Sequence, residues 1–402
     1  MRRMAVVCLV VLAVIVSLGS NGSGASAAGR QAGGPPAEVS SDWKAVSAGA
    51  VHTCGLRTSG HLFCWGDDDF GQLGNGGGNT DAGAPVEVAG GHDDWVAVSA
   101  GGFFTCGRRA SGRLYCWGAD TFGAIGNGAP NANVSSPVEV AGGHTDWRQV
   151  SSGNDHVCAR RATGRLYCWG DDGTGAVGNG SGTQSPSSPV EVAGGATNWS
   201  SVSAGFLFTC ARRTTGRLYC WGSDQYGQLG RGPGLQLGFS PVDVVGARTD
   251  WAAVVAGVDH VCARRASGSL FCWGRNNVAQ LGTGTAGANQ ESPVQVVGNR
   301  TDWRQFSLGD RSTCARRTDH RLFCWGFDNT GQAGNGPPNA DVGSPTEVAG
   351  GAIDWASVEA GLLHVCARRT SGFLYCWGYD SDGQLGDGGS DSPVSSPVLV
   401  AN

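Results

Sequence analysis

Two cysteines ten residues apart, with a Thr-Ser-Gly turn midway between them, open the most constraining pattern in this chain. In "HTCGLRTSGHLFCWG" (52–66) they are Cys54 and Cys64. The arrangement returns every 52 residues as Cys106 with Cys116, Cys158 with Cys168, Cys210 with Cys220, Cys262 with Cys272, Cys314 with Cys324 and Cys366 with Cys376. Each second cysteine precedes Trp-Gly, and a further tryptophan in "DW" or "NW" opens every unit. These two sets account for all 14 tryptophans, and the pairs for every cysteine but Cys8. Self-similarity at a fixed period overrides the usual two or three domains for 402 residues and predicts one closed or stacked array.

The turn decides what the thiols are for. With Thr58-Ser59-Gly60 as a three-residue hairpin loop and Gly60 left-handed, Leu56 faces Leu62, Gly55 faces Phe63 and Cys54 faces Cys64. Counting outward places the cysteines at a non-hydrogen-bonded pair, where antiparallel strands bring side chains closest. Seven cross-strand disulfides follow, each closing a short loop for roughly 2 to 3 kcal/mol. The spacing suits neither a zinc site nor a C-x-x-C redox pair. The sixth unit puts His320 where the other six have the loop glycine, so that turn is expected to be strained.

Each unit reads as four short strands, for example "WVAVSAG", "FTCGRR", "RLYCWG" and "PVEVAG". "LYCW" is apolar at consecutive positions, which requires cover on both sheet faces. Ala-Gly at the end of the first strand suits innermost strands converging on an axis. The expectation is an all-β, seven-bladed β-propeller of 52-residue repeats over 37–402. P-x-x-V occurs eight times from Pro36, one copy more than the blade count, and the extra copy is expected to help close the ring.

The first 40 residues carry a different signal. Arg2 and Arg3 precede an apolar run of about 14 residues and Ala25-Ser26-Ala27, which reads as a secretory signal peptide over 1–27 with a linker over 28–36. Export into an oxidising compartment fits the paired cysteines, and no membrane span is expected after cleavage.

"VSAGAVHTCGLRTSGHLFCWGDDDFGQLGNG" (46–76) resembles the repeat of the regulator-of-chromosome-condensation family. The likeness extends over essentially the whole predicted propeller and implies the seven-bladed fold. Departures are the cysteine pairs and arginine where the family has leucine, at Arg108, Arg160, Arg212, Arg264, Arg316 and Arg368. The family's namesake activity is nucleotide exchange on a small GTPase, which the uninterrupted spacing and the signal peptide oppose. A tryptophan photosensor of this family would need tryptophan in the A-G-x-x-H segment, and none of the seven has one.

Strand direction puts the dipeptide after "AG" and the loop after "CWG" on one face, where the repeats differ most. Candidate partner-binding residues there are Asp69, Phe70, Phe103, Phe122, Asp155, Phe206, Tyr226, Asp259, Arg275, Arg311, Phe327, Leu362 and Tyr379. Exposed aromatics on rigidly held loops are anchors of protein interfaces. The competing reading is that each aspartate caps its own turn and the aromatics shield the rim. The hairpin face collects 17 of the 28 lysines and arginines, which would meet an anionic surface or pair with Glu87, Glu139, Glu191 and Glu347. His52, His156, His260 and His364 sit too far apart around a ring for one active site and are expected to be structural. No unit installs a nucleophile, base or metal triad, so neither enzyme activity nor a metal or cofactor is expected. The sequence thus predicts a secreted binding module for a protein partner; a cell-wall glycan is the alternative, and nucleic acid does not suit an exported chain.

Overall fold

The structure is a computed structural model and describes residues 41–129, 132–182, 184–234 and 237–402. The expected signal peptide, the linker and the first P-x-x-V copy at 36–39 lie outside the described residues. All that is described falls in one compact unit, Glu38–Asn402.

Seven four-stranded antiparallel sheets make seven blades, each built from four consecutive strands. In blade 1 these are Trp43–Ala48, His52–Arg57, Leu62–Gly66 and Ala82–Glu87. Blades 2 to 7 repeat the pattern from Trp95, Trp147, Trp199, Trp251, Trp303 and Trp355. Leu56 pairs with Leu62, Gly55 with Phe63 and Cys54 with Cys64, the register that the hairpin loop dictates. A disulfide staples the second strand of every blade to its third. The bonds join Cys54 to Cys64, Cys106 to Cys116, Cys158 to Cys168, Cys210 to Cys220, Cys262 to Cys272, Cys314 to Cys324 and Cys366 to Cys376, the seven expected pairs. Their Cα atoms lie 4.0–4.1 Å apart, as a non-hydrogen-bonded pair requires.

Packing runs between blades rather than within them. The cystine, the strand leucines and the G-Q-L-G leucine of blade 1 pack on Trp95 and Trp117 of blade 2, and the other blades follow suit. All 14 tryptophans are at most 3% exposed. Each removes about 200 Å² from water, an upper estimate of roughly 5 kcal/mol apiece. Within a blade the two indoles meet tilted, 5.7 Å apart for Trp43 and Trp65. The indole N–H of Trp117 reaches back 3.0 Å to the Gln72 carbonyl of blade 1. Gly74 leaves room for it: a Cβ there would lie 2.3 Å from the indole nitrogen.

The ring closes without strand exchange. Trp43 and Trp65 of blade 1 pack on Cys366, Leu374, Cys376, Leu385 and Val400 of blade 7. Trp65 Nε1 donates to the Gln384 carbonyl at 3.0 Å, and the Leu362 N–H to the Gly49 carbonyl at 3.1 Å. The last P-x-x-V copy, from Pro397, forms the fourth strand of blade 7, Val394–Leu399, and blade 1 has its own in Ala82–Glu87; each of the seven blades is thus complete without the copy at 36–39.

First strands line the axis. There Ser47, Ser99, Ser151, Ser203 and Ser307 each accept a hydrogen bond at 2.9–3.0 Å from a backbone N–H of the next blade. The serine hydroxyl thereby bridges two strands whose own ladders point elsewhere. Val255 and Glu359 occupy the same position in blades 5 and 7.

The sixth hairpin absorbs its missing glycine. His320 takes φ 65°, and its Nδ1 lies 3.0 Å from the Trp355 carbonyl and 3.2 Å from Arg316 Nη1. The Trp355 N–H still donates to the His320 carbonyl, the bond that Trp95 makes to Gly60.

Candidate functional site

The two variable segments of each unit are sewn together by backbone. The Asp67 N–H donates to the Val51 carbonyl at 3.1 Å, and Arg275 to Asp259 and Phe327 to Arg311 at 2.9 and 2.8 Å. The post-glycine dipeptide and the post-Trp-Gly loop therefore share a face. A buried acid fixes each loop from beneath: Asp68, Asp120, Asp172, Asp224, Asp328 and Asp380, with Asn276 in blade 5. Their Oδ1 atoms accept from the backbone N–H five residues on, at 2.7–3.3 Å. These acids are turn caps and belong to the framework. Burial pushes Asp172 and Asp380 up to about 7 and Asp328 to about 6.

Above this framework the predicted residues fall into three groups. Phe70 of blade 1 meets Phe103 of blade 2 edge-on, with ring centroids 5.4 Å apart; Asp69 beside them is exposed, and Phe122 is half-buried. Across blades 4 and 5, Arg275 stacks 4.8 Å over Tyr226 and pairs with Asp259 at 2.9 Å. In blade 6, Arg311 stacks 4.8 Å over Phe327 and pairs with Asp310 at 3.0 Å. Phe206 and Leu362 instead edge the mouth of the axial channel, with Asn154 and Val258. Asp155 accepts from Asn154 Nδ2 at 2.5 Å, and burial raises its carboxyl to about 6.

Tyr379 corrects the expectation of an exposed aromatic. It is only 7% exposed. Conversely, sequence reasoning passed over Leu237 and Phe239, which are 36% and 40% exposed. Leu237 pairs with Ser223 at the loop-face end of blade 4, near Tyr226 in the same blade. Their signal was available, since Leu237 and Phe239 open the fourth strand of blade 4, Leu237–Asp243, where other units have polar or small residues or proline.

On the hairpin face three of the four expected arginine–glutamate pairs form, and the fourth glutamate takes a histidine. Glu139, Glu191 and Glu347 pair with Arg113, Arg165 and Arg321, and Glu87 with His61. The second arginine of five of the six Arg-Arg pairs bonds the acid of "DW", as in Arg109–Asp94 at 2.6 Å and Arg161–Asp146 at 2.7 Å, and Arg213 bonds the Asn198 amide of "NW". This second arginine also lies over an aromatic ring of its blade, 4.6 Å away for Arg369 on Trp355 and 5.0 Å for Arg265 on Phe271. The turn brings these aspartates nearer than the fourth-strand glutamates.

The histidines bridge blades. Thr105 donates its hydroxyl to the Gln72 carbonyl at 2.9 Å, so it accepts from His52 Nε2–H at 2.8 Å. His156–Thr209, His260–Thr313 and His364–Thr53 repeat this at 2.8–2.9 Å. Burial holds all four rings neutral, at about 3 to 4. Among the described residues no group of three or more His, Cys, Asp or Glu side chains is set to hold a metal ion.

Residues 96–402 match the RCC1-like domain, and residues 43–72 and 59–107 match the regulator of chromosome condensation (RCC1) repeat. The chain is 31% identical over 353 residues to the ultraviolet-B receptor UVR8 of Arabidopsis thaliana, covering 86% of this chain and 79% of the receptor. It is 28% identical over 329 residues to the regulator of chromosome condensation of Homo sapiens, covering 76% of each. Prp20p from Saccharomyces cerevisiae, described with its binding to Gsp1p and histones, has the same fold with TM-score 0.75 at 20% identity, covering 90% of this chain and 88% of that one.

Proposed function

This chain belongs to the RCC1-like propeller family, and from that premise we propose that it is a non-enzymatic, exported binding module that takes a protein partner on its loop face. One observation carries the reading: a framework repeated seven times holds aromatic and apolar groups that differ from blade to blade on a single face. Blade 4 and its neighbour concentrate them, with Leu237, Phe239, Tyr226 and the Tyr226–Arg275–Asp259 stack. Aromatic and arginine side chains held this rigidly lose little entropy on docking, which is why they dominate interface energetics. Prp20p, of the same fold, is described by its binding to Gsp1p and histones, and another structure shows it bound to Kap60. Export is supported by the reading of residues 1–27 and by seven disulfides, which persist in oxidising compartments.

The test is capture from the medium by the disulfide-intact protein, followed by binding measurements with whatever partner is identified. Tyr226→Ala and Phe239→Ala are expected to weaken that complex at least tenfold, while Arg113→Ala on the hairpin face leaves it unchanged. Equal affinity in all three would overturn the loop-face assignment.

A further inference from the structure

A cavity of about 200 Å³ runs down the propeller axis from the loop face. First strands from all seven blades line it with small or apolar groups such as Ala100, Ala204, Ala256 and Val255, and Phe206 and Leu362 edge its mouth. Among the described residues lining it, Glu359 is the sole titratable one. Five of the six equivalent positions are serines that bond the next blade. A carboxylate here is therefore a departure confined to blade 7.

Glu359 meets only neutral donors, Ser307 Oγ and Gln305 Nε2, both at 3.4 Å, the long limit of a hydrogen bond. Among the described residues no cation pairs with it. It is the penultimate residue of the strand Trp355–Ala360, below Leu362 in the loop that follows. Alanines such as Ala100, Ala204 and Ala256 share the walls with serines such as Ser47, Ser99 and Ser151; a bare ion would leave the space above Glu359 unfilled, whereas a cation on a short alkyl stem would fill it along the alanines.

We propose that the axial channel is a binding site for a primary ammonium or guanidinium group on an aliphatic stem, with the Glu359 carboxylate as its counter-charge. The cation supplies the opposite charge that an isolated carboxylate in a narrow channel lacks, and the stem replaces water along the alanine walls. Burial pushes Glu359 up to about 7. Loading at lower pH therefore expels a proton, and affinity falls by the ionised fraction, about tenfold between pH 8 and pH 6. The cation has two sources, a free alkyl amine or a basic side chain of the partner; the second rests on the protein-binding reading.

The test titrates the disulfide-intact protein with butylguanidinium, with its neutral isostere butylurea, and with a cyclic peptide displaying one arginine. Saturable binding of butylguanidinium but not butylurea is expected, tenfold weaker at pH 6 than at pH 8, and at least tenfold weaker in Glu359→Ser. Glu359→Gln serves if the serine variant fails to fold. Tighter binding of the peptide assigns the site to a protein side chain, and tighter binding of the free cation to a small amine. Binding of neither cation, equal binding of butylurea, or affinity unchanged by either substitution would overturn the proposal. Tyr226→Ala and Phe239→Ala should leave butylguanidinium binding intact, which separates this site from the loop-face interface.

Discussion

Thr53 shows how one side chain answers for an odd number of blades. Two kinds of blade interface alternate around the ring. In one, histidine bonds the threonine of the next blade, as His156 does Thr209; in the other, Phe104 and Phe208 precede Val157 and Val261 of the blades that follow. Seven blades cannot alternate perfectly, so blade 1 carries both His52, which bonds forward, and Thr53, which receives His364. Thr53 also donates to the Gln384 carbonyl at 2.9 Å. Thr53→Val strands the buried His364 N–H and leaves the Gln384 carbonyl with the Trp65 N–H alone, and is expected to cost about 1 to 3 kcal/mol in a urea titration. Adding His364→Phe converts the seam to the Phe/Val kind and should recover part of that loss; no recovery would mean the two interface kinds are not interchangeable.

Within each blade the hairpin between second and third strands is the element that sets register. Its loop glycine bears two demands at once, a positive φ and a near approach to the neighbouring blade. At Gly268, φ is 89° and a Cβ would lie 1.9 Å from the Thr301 carbonyl. Gly268→Ala is therefore expected to lose about 3 kcal/mol or more in a thermal melt, since neither the turn nor the next blade can yield cheaply. His320→Gly, in the hairpin that already relieves this contact, should stay within about 1 kcal/mol of the parent protein. A mild Gly268→Ala would show that the inter-blade contact is soft.

For the whole molecule, two buried populations respond oppositely to pH. The four bridging histidines have folded values near 3 to 4, against about 6.5 unfolded, so their contribution is complete above pH 6.5 and is lost on acidification. Asp67, Asp155, Asp172, Asp328, Asp380 and Glu359 have folded values near 6 to 7, above their unfolded values. The folded state holds their protons, so they favour folding at low pH and oppose it as pH rises through 6 to 7. Between pH 8 and pH 7 the histidines of the unfolded chain are still mostly neutral and the carboxyls dominate, so the melting temperature should rise as pH is lowered across that window. Asp172→Asn should flatten the slope and stabilise the protein at pH 8 by roughly 1 to 3 kcal/mol. Asn276 already caps the blade 5 loop, accepting from the Leu281 N–H at 3.3 Å, so an amide fits the position. An unchanged slope would show that Asp172 is ionised in the folded state.

Blade count, hairpin register and cystine pairing were all legible in the sequence, because each depends on spacing within 52 residues, and the periods of strand, turn and repeat are local properties. Which loops share a face was legible for the same reason, since strand direction alternates. What each side chain does on that face was not. Tyr379 and Phe327 both directly follow Cys-Trp-Gly, yet one is buried and the other lies under Arg311. The acid partners of the arginines, the channel around Glu359 and the exposed Phe239 likewise depend on which residues of neighbouring blades come within a few ångströms. That proximity arises only when seven units close into a ring, so tertiary structure alone decided it.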